Sequence, residues 1–115
     1  MQSRFRLTRS EDFKRVRQSG KSYAHPLVVL VAQPNQSQNI RVGVTAAKTV
    51  GTAIHRNRAK RLLREVMRPM LPSLASGWDL ILIARPKLVV ASLTETREVV
   101  TTLLNRAKLI PSNES

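Results

Sequence analysis

A run of basic side chains between residues 48 and 68 has the composition and spacing of a phosphate-binding surface. At about 100° per residue, this stretch reads as a helix with one apolar stripe and one polar face. The stripe consists of Ala59, Leu62, Leu63, Val66, Met67 and Met70. The polar and basic residues are Lys48, Arg56, Asn57, Arg58, Lys60, Arg61, Arg64 and Arg68, and Glu65 is the only acid among them.

A helix face that is simply solvated normally carries both signs of charge, with glutamates spaced to pair with lysines and arginines. Here nearly every charge is positive, so the side chains repel one another unless a polyanion lies across them. We therefore favour a polyanion-binding face over a merely solvated one.

The acidic and histidine residues do not form a recognisable catalytic group. A metal-dependent nuclease needs two or three carboxylates close together. Glu11 and Asp12 are adjacent, but they suit the first turn of a helix. His25 and His55 have no ligand spacing, and His55 falls on the apolar side of the basic helix, where we expect it to be packed. We predict no catalytic residue and no metal site in the protein itself.

Two aromatic residues are candidates for stacking on unpaired bases, as RNA-binding proteins use them. Phe13 on the first predicted helix and Tyr23 at the start of the first strand could line a cleft beside the sheet. The alternative is that both belong to the core, where we also place Trp78.

Six elements must position these side chains. Capping boxes at Thr8–Glu11 and Ser92–Glu95 and a plausible N-cap at Thr52 mark the helix starts. The predicted elements are a helix from Thr8 or Ser10 to Gly20, strands over 23–32 and 40–46, the basic helix, a strand over 78–84 and a helix over 93–108.

This order predicts a small α+β sandwich with three helices on a mostly antiparallel sheet. The first two strands should form an antiparallel hairpin, although a short strand over 44–48 is an alternative. The basic helix joins one strand to another and is therefore a crossover, which would ordinarily be right-handed.

The composition indicates one domain over 1–115 with a polyanionic partner. Twenty Lys and Arg against seven Asp and Glu give a net charge of +13, for which nucleic acid is the default partner. The chain has no cysteine, no apolar run long enough to span a membrane and no signal-peptide pattern. We expect a cytoplasmic protein with no membrane association and a frayed tail over 109–115.

Residues 42–48, followed by 51–65, resemble the protein subunit of bacterial ribonuclease P. The triplet Arg56-Asn57-Arg58, with Lys60 and Arg61 after one residue on a helix that follows a glycine turn, is that family's hallmark. The similarity also includes residues 6–13 with Gly20, and the late strand over 79–84 with Arg85.

The resemblance implies a fold like the second domain of a small-subunit ribosomal protein, with a left-handed β-α-β crossover through the basic helix. It implies that the catalyst is RNA, which uses Mg²⁺ that the RNA holds. The implied partners are the catalytic RNA and the 5′ leader of precursor tRNA, with no obligate protein partner.

Carried over position by position, the resemblance places Lys48, Arg56, Asn57, Arg58, Lys60, Arg61, Arg64 and Arg68 against the catalytic RNA. It places Phe13 and Tyr23 in the leader cleft, together with Arg17, which stands where many members have a second aromatic residue. Alternatives from other classes are a ribosomal protein, a nuclease that acts without RNA, and a DNA-binding module.

Overall fold

The computed structural model describes residues 5–110 as a four-stranded sheet with helices on both faces. The strands are β1 (Lys21–Ala24), β2 (Val28–Pro34), β3 (Arg41–Ala46) and β4 (Trp78–Ala84). The helices are α1 (Ser10–Ser19), α2 (Ala53–Met67) and α3 (Leu93–Arg106). This α+β architecture with three helices agrees with the fold class that the sequence predicts.

Two of the three predicted helix caps are confirmed. The Thr52 side chain accepts a hydrogen bond from the backbone N–H of His55 at the start of α2, and Ser92 accepts one from Glu95 at the start of α3. The predicted cap at Thr8 is wrong, because α1 begins after Arg9 without a side-chain cap. Glu11 and Asp12 in its first turn favour the helix start through the helix dipole instead.

The sheet has the order β1-β2-β4-β3, which overturns the expected hairpin between 23–32 and 40–46. The first predicted strand is two strands, because the chain turns at His25, Pro26 and Leu27. β1 and β2 form that hairpin with Tyr23 opposite Leu30. β3 pairs in parallel with β4, with Val42 opposite Leu80, so the sheet is mixed. The alternative strand over 44–48 is also wrong, since β3 ends at Ala46.

The connection from β3 through α2 to β4 forms the predicted crossover. Parallel neighbours cannot be joined by a tight turn, so a long connection is needed between them. α2 supplies that connection, and the basic helix packs its buried residues Ala59, Leu63, Val66 and Met67 into the core. β3 becomes an edge strand, and its outer side carries a bridge from Arg6 to Val42.

Side chains alternate between the two faces of the sheet, and each face has its own core. The larger core lies under α2 and α3 and includes Leu30, Leu80 and Leu82 from the central strands. The smaller core lies under α1 and consists of Leu7, Val16, Val31 and Ile81, with the half-buried Phe13, Val29 and Ile83 packed against it.

The end of the described chain is more ordered than the sequence suggests. Leu109 is completely buried in the larger core, and its carbonyl accepts a hydrogen bond from the N–H of Ala75. The expectation that the tail is frayed from residue 109 onward is therefore wrong at Leu109. The rest of that expectation, over 111–115, lies outside the described residues.

Asp79 is a completely buried carboxylate at the start of β4, and it anchors α1 to the sheet. Arg41 on β3 donates to both of its oxygens, from Nε to Oδ1 at 2.9 Å and from Nη2 to Oδ2 at 2.8 Å. Arg15 on α1 donates from Nη2 to Oδ2 at 2.6 Å, and the Asn35 amide donates to Oδ1 at 2.8 Å. The carboxylate thus joins α1, β3, β4 and the turn after β2.

Burial by itself would raise the pKa of Asp79. The hydrogen bonds from Arg41, Arg15 and Asn35 outweigh that effect and hold its pKa below the ordinary carboxyl value. The hydrogen bonds that Arg15 and Arg41 donate to Asp79 also raise the pKa of both arginines, against the opposing effect of desolvation. The charged form of the cluster is therefore the stable one.

We expect Asp79→Asn to lower the free energy of unfolding by about 2 kcal/mol at neutral pH, because hydrogen bonds to a charged group are lost. Since the folded pKa is depressed, the stability that Asp79 contributes is complete above the ordinary carboxyl pKa of about 3.9. It is lost as the pH falls from there through the folded pKa. The difference between the variant and the original chain should therefore shrink in acid.

Urea unfolding followed by circular dichroism at neutral pH and at about pH 3 measures this difference. Glu98→Gln is the matched control, since it neutralises an exposed carboxylate that makes no ion pair within residues 5–110. If Asp79→Asn lowers the free energy of unfolding by the same amount at both pH values, the charge of Asp79 contributes nothing to stability.

Candidate nucleic-acid interface

α2 buries its apolar stripe largely as the sequence predicts. Ala59, Leu63, Val66 and Met67 are buried, while Leu62 and Met70 are half-buried at the border. His55 is exposed rather than packed, because it lies in the first turn, where α2 has not yet reached the core. Its Nδ1 lies 3.4 Å from Oγ1 of Thr52.

The polar side of α2 is divided into two flanks. Arg56, Lys60 and Arg64 recur every four residues and are half-buried beside β3; we call them the β3-side row. Arg58 and Arg61 are exposed on the other flank, which faces the start of α3. Asn57 borders both flanks, because it lines a depression on each side.

The cations of α2 are nearly all without an acidic partner. Within the described residues, only Arg68 of this helix forms an ion pair, at 3.2 Å from Glu65, and both side chains are exposed. No carboxylate of residues 5–110 lies within 4.0 Å of the β3-side row, of Arg58, of Arg61 or of Lys48, which is exposed on the short 3-10 turn before α2. Such a concentration of unpaired like charge is stabilised by an anion laid across it.

The β3-side row leads directly to Phe13. The ring of Phe13 lies over Gly43 of β3, where an added Cβ would collide with the ring Cζ. Phe13 and Arg64 line the same cleft, together with Arg6 and Thr8 from the segment before α1. The cleft has a volume of about 200 Å³. Arg17 is exposed one helical turn after Phe13.

Tyr23 does not share this cleft, so the expected pairing of Phe13 and Tyr23 is wrong. Tyr23 lies opposite Leu30, whose side chain belongs to the larger core under α2 and α3. Its ring packs against that core between Lys21 Nζ at 5.5 Å and Arg106 Cζ at 5.8 Å from the ring centroid. Because β1 starts at Lys21 and pairs Tyr23 with Leu30, the side chain of Tyr23 lies on the face of the sheet that α2 and α3 cover.

Within residues 5–110, the structure adds no acidic cluster to those seen in the sequence. Asp12 and Asp79 approach each other, but both lie against Arg15 and Arg41, so cations already occupy the position between them. Over residues 5–110, no three His, Asp or Glu side chains come together in a way that could hold a metal ion. None of the three described helices is long and apolar enough to cross a membrane.

Sequence reasoning missed two features of the site. The first is the Asp79 cluster, although a single acid in the apolar stretch 78–84 signals a buried carboxylate that must have cationic partners. The second is a pair of exposed apolar side chains, Ile54 and Leu93, beside the basic face of α2. No local pattern marks these two, because an apolar residue in the first turn of a helix looks the same in the sequence whether it is exposed or buried.

Comparison with known sequences points to a single family. The family model described as Ribonuclease P matches residues 1–108. The ribonuclease P protein component of Chloroflexus aurantiacus is 37% identical over 113 residues, which cover 97% of this chain and 84% of the relative. The ribonuclease P protein component of Dehalococcoides mccartyi is 44% identical over 105 residues, which cover 91% of this chain and 86% of the relative.

Solved structures give the same result. A Staphylococcus aureus RNase P protein mutant superposes with a TM-score of 0.87 at 26% identity and covers 96% of this chain and 93% of its own. The Thermotoga maritima RNase P protein superposes with a TM-score of 0.78 at 30% identity, and the superposition covers 88% of this chain and 96% of that protein. The similarity extends through the crossover and the basic helix, because these alignments include most of the chain.

Proposed function

Since the chain belongs to the ribonuclease P protein family, and is thus of the kind that serves as the protein subunit of a tRNA-processing enzyme, we propose how its surfaces divide that work. The exposed cations around α2 bind the catalytic RNA, and the cleft at Phe13 binds the 5′ leader of precursor tRNA. The observation that carries this proposal is that α2 has unpaired cations on both flanks and only one flank reaches Phe13.

The catalytic RNA is assigned to the residues of this region that are most accessible. These are Asn57, Arg58 and Arg61 on the exposed side of α2, with Lys48 before the helix and Arg68 at its end. Guanidinium groups suit this task because they donate several hydrogen bonds to phosphate oxygens in a fixed geometry. Each neutralised phosphate also releases counterions, so the binding weakens steeply as the salt concentration rises.

The leader is assigned to the cleft because an aromatic ring and cations meet there. Phe13 offers a half-buried ring face for an unpaired base, and Arg17 and Arg64 can approach the phosphates on either side. Arg56, Lys60 and Arg64 continue from this cleft along β3, so this row lies between the two RNAs. Tyr23 is not part of the proposed leader site, because its ring lies on the other face of the sheet.

In this proposal the RNA performs the chemistry, and Mg²⁺ held by that RNA supports cleavage of the phosphodiester bond that joins the leader to the tRNA. The protein itself is not expected to hold the metal, and within residues 5–110 the neighbouring carboxylates of Asp12 and Asp79 are engaged by arginines. The role of α2 is to reduce the repulsion between two polyanions, which lowers the Mg²⁺ concentration they require. The proposed assembly works in the cytoplasm, without a membrane or an obligate protein partner.

Reconstitution tests the function directly. We expect efficient cleavage of precursor tRNA at low Mg²⁺ only when the protein and a bacterial ribonuclease P RNA are combined, with the cut at the mature 5′ end. The assay compares the RNA alone, the protein alone and the mixture. Cleavage by the protein alone would contradict the proposal, and so would a protein that adds nothing to an active RNA.

We expect Arg58→Ala to weaken binding of the catalytic RNA by about tenfold, because a charge-assisted contact with phosphate is lost. Binding of a precursor leader to the assembled enzyme should change far less, since Arg58 lies on the flank away from Phe13. Filter binding with each RNA measures the two effects. Arg97→Ala, which removes an exposed arginine from α3, is the matched control for net charge. Equal losses for both RNAs would refute this division of roles.

We expect Phe13→Leu to weaken the binding of precursor tRNA by about fivefold and to leave mature tRNA unaffected, because leucine keeps the apolar packing over Gly43 but removes the ring face. Affinities of the assembled enzyme for the two tRNAs measure the difference. A thermal unfolding curve separates this effect from packing. If the variant loses much of its stability and shows no selective loss of precursor binding, Phe13 is a core residue only.

A further inference from the structure

The three large apolar side chains that are exposed within residues 5–110 all lie near the start of α2 or α3. Ile54 is 78% exposed, Leu93 is 41% exposed and Val90 is 88% exposed. Ile54 and Leu93 line one groove between α2 and the start of α3, with a volume of about 650 Å³. Val90 is not among the residues that line it. The packing of the domain gives no reason for an isoleucine exposed beside Arg58 and Arg61.

The Ile54–Leu93 groove combines apolar walls with cationic and amide groups. Leu62 and Ala91 add apolar surface, while Arg58 and Arg61 contribute guanidinium groups that have no carboxylate of the described chain within 4.0 Å. Asn57 contributes an amide that can both donate and accept hydrogen bonds. The one carboxylate that lines the groove, that of Glu65, is paired with Arg68.

This combination matches the chemistry of an unstacked nucleobase in RNA. Single-stranded bases are bound by apolar or guanidinium contacts on their faces and by hydrogen bonds to their edges, while their phosphates meet cations. Apolar side chains can cover a base, Arg58 and Arg61 can meet the phosphates beside it, and the Asn57 amide can contact its edge. A fully paired helix would meet the cations but could not use the apolar walls.

We propose that the Ile54–Leu93 groove binds one unpaired base of the catalytic RNA. The inference rests on the proposed function, since it requires that the exposed side of α2 faces that RNA. The leader is a poorer occupant, because the groove and the Phe13 cleft lie on opposite flanks of α2. A second copy of the chain is also disfavoured, since a symmetric contact would bring Arg58 and Arg61 of both copies together.

The test is the affinity of the whole protein for ribonuclease P RNA, measured over a series of salt concentrations. We expect Ile54→Ser and Leu93→Ser each to weaken binding by about tenfold, because apolar contact area is lost. The slope of log affinity against log salt should stay unchanged, since no phosphate contact is removed. Arg61→Ala should instead reduce the slope by about 0.7 to 0.9.

Val90→Ser is the matched control, because it makes a similar change at an exposed site outside the groove. We expect it to bind like the original chain. A second readout is chemical modification of unpaired RNA bases. One base should be protected by the original protein and by Val90→Ser, and it should become reactive with Ile54→Ser.

Three results would overturn the groove assignment: equal affinities for Ile54→Ser and Val90→Ser, a loss confined to leader binding, or sedimentation showing a dimer that Ile54→Ser dissociates. In each case the original protein still binds the RNA and supports cleavage, so the proposed function survives. If the original protein neither binds nor activates the RNA, the proposed function and this inference both fail.

Discussion

The side of the protein that holds Phe13 depends on one buried charge, that of Asp79. With only seven acids against twenty basic residues, the position of each carboxylate decides which cations are neutralised. Asp79 engages Arg41 and Arg15, and in doing so it fixes α1 against the sheet. The cleft at Phe13 depends on this contact, because Phe13 and Arg17 are carried by α1. Within residues 5–110 the cations of α2 receive no such partner, which is why we propose that they bind RNA.

The edge position of β3 has a second consequence for the interface. Because β4 lies between β2 and β3, one side of β3 has no strand neighbour and instead meets the β3-side row of α2 and the chain near Arg6. Gly43 leaves room on this strand for the ring of Phe13. An aromatic ring and a row of cations thus meet along one strand, although they come from separate helices.

The two flanks of α2 have different neighbours, and our proposal that one short helix contacts two RNAs rests on that difference. A single positive stripe would attract phosphates without ordering them. Here one flank is half-buried and directed toward Phe13, while the other is exposed and contains apolar side chains beside its arginines. In the proposed assembly, charge attracts both RNAs, and the different neighbours of each flank give a physical basis for separating them. Specific recognition then comes from the groups around the charge rather than from its magnitude.

The sequence by itself determined the features that depend on neighbouring residues. The period of α2, its buried stripe, the caps at Thr52 and Ser92, the late strand and the family motif were all predicted, because they follow from interactions within a few residues. Only the tertiary structure decided that β4 separates β2 from β3, that Tyr23 faces α3, that Asp79 binds Arg15 and Arg41, and that Ile54 and Leu93 share a groove. These contacts join residues far apart in the chain, and an alternating strand pattern specifies two faces without specifying which strand, helix or charge will meet them.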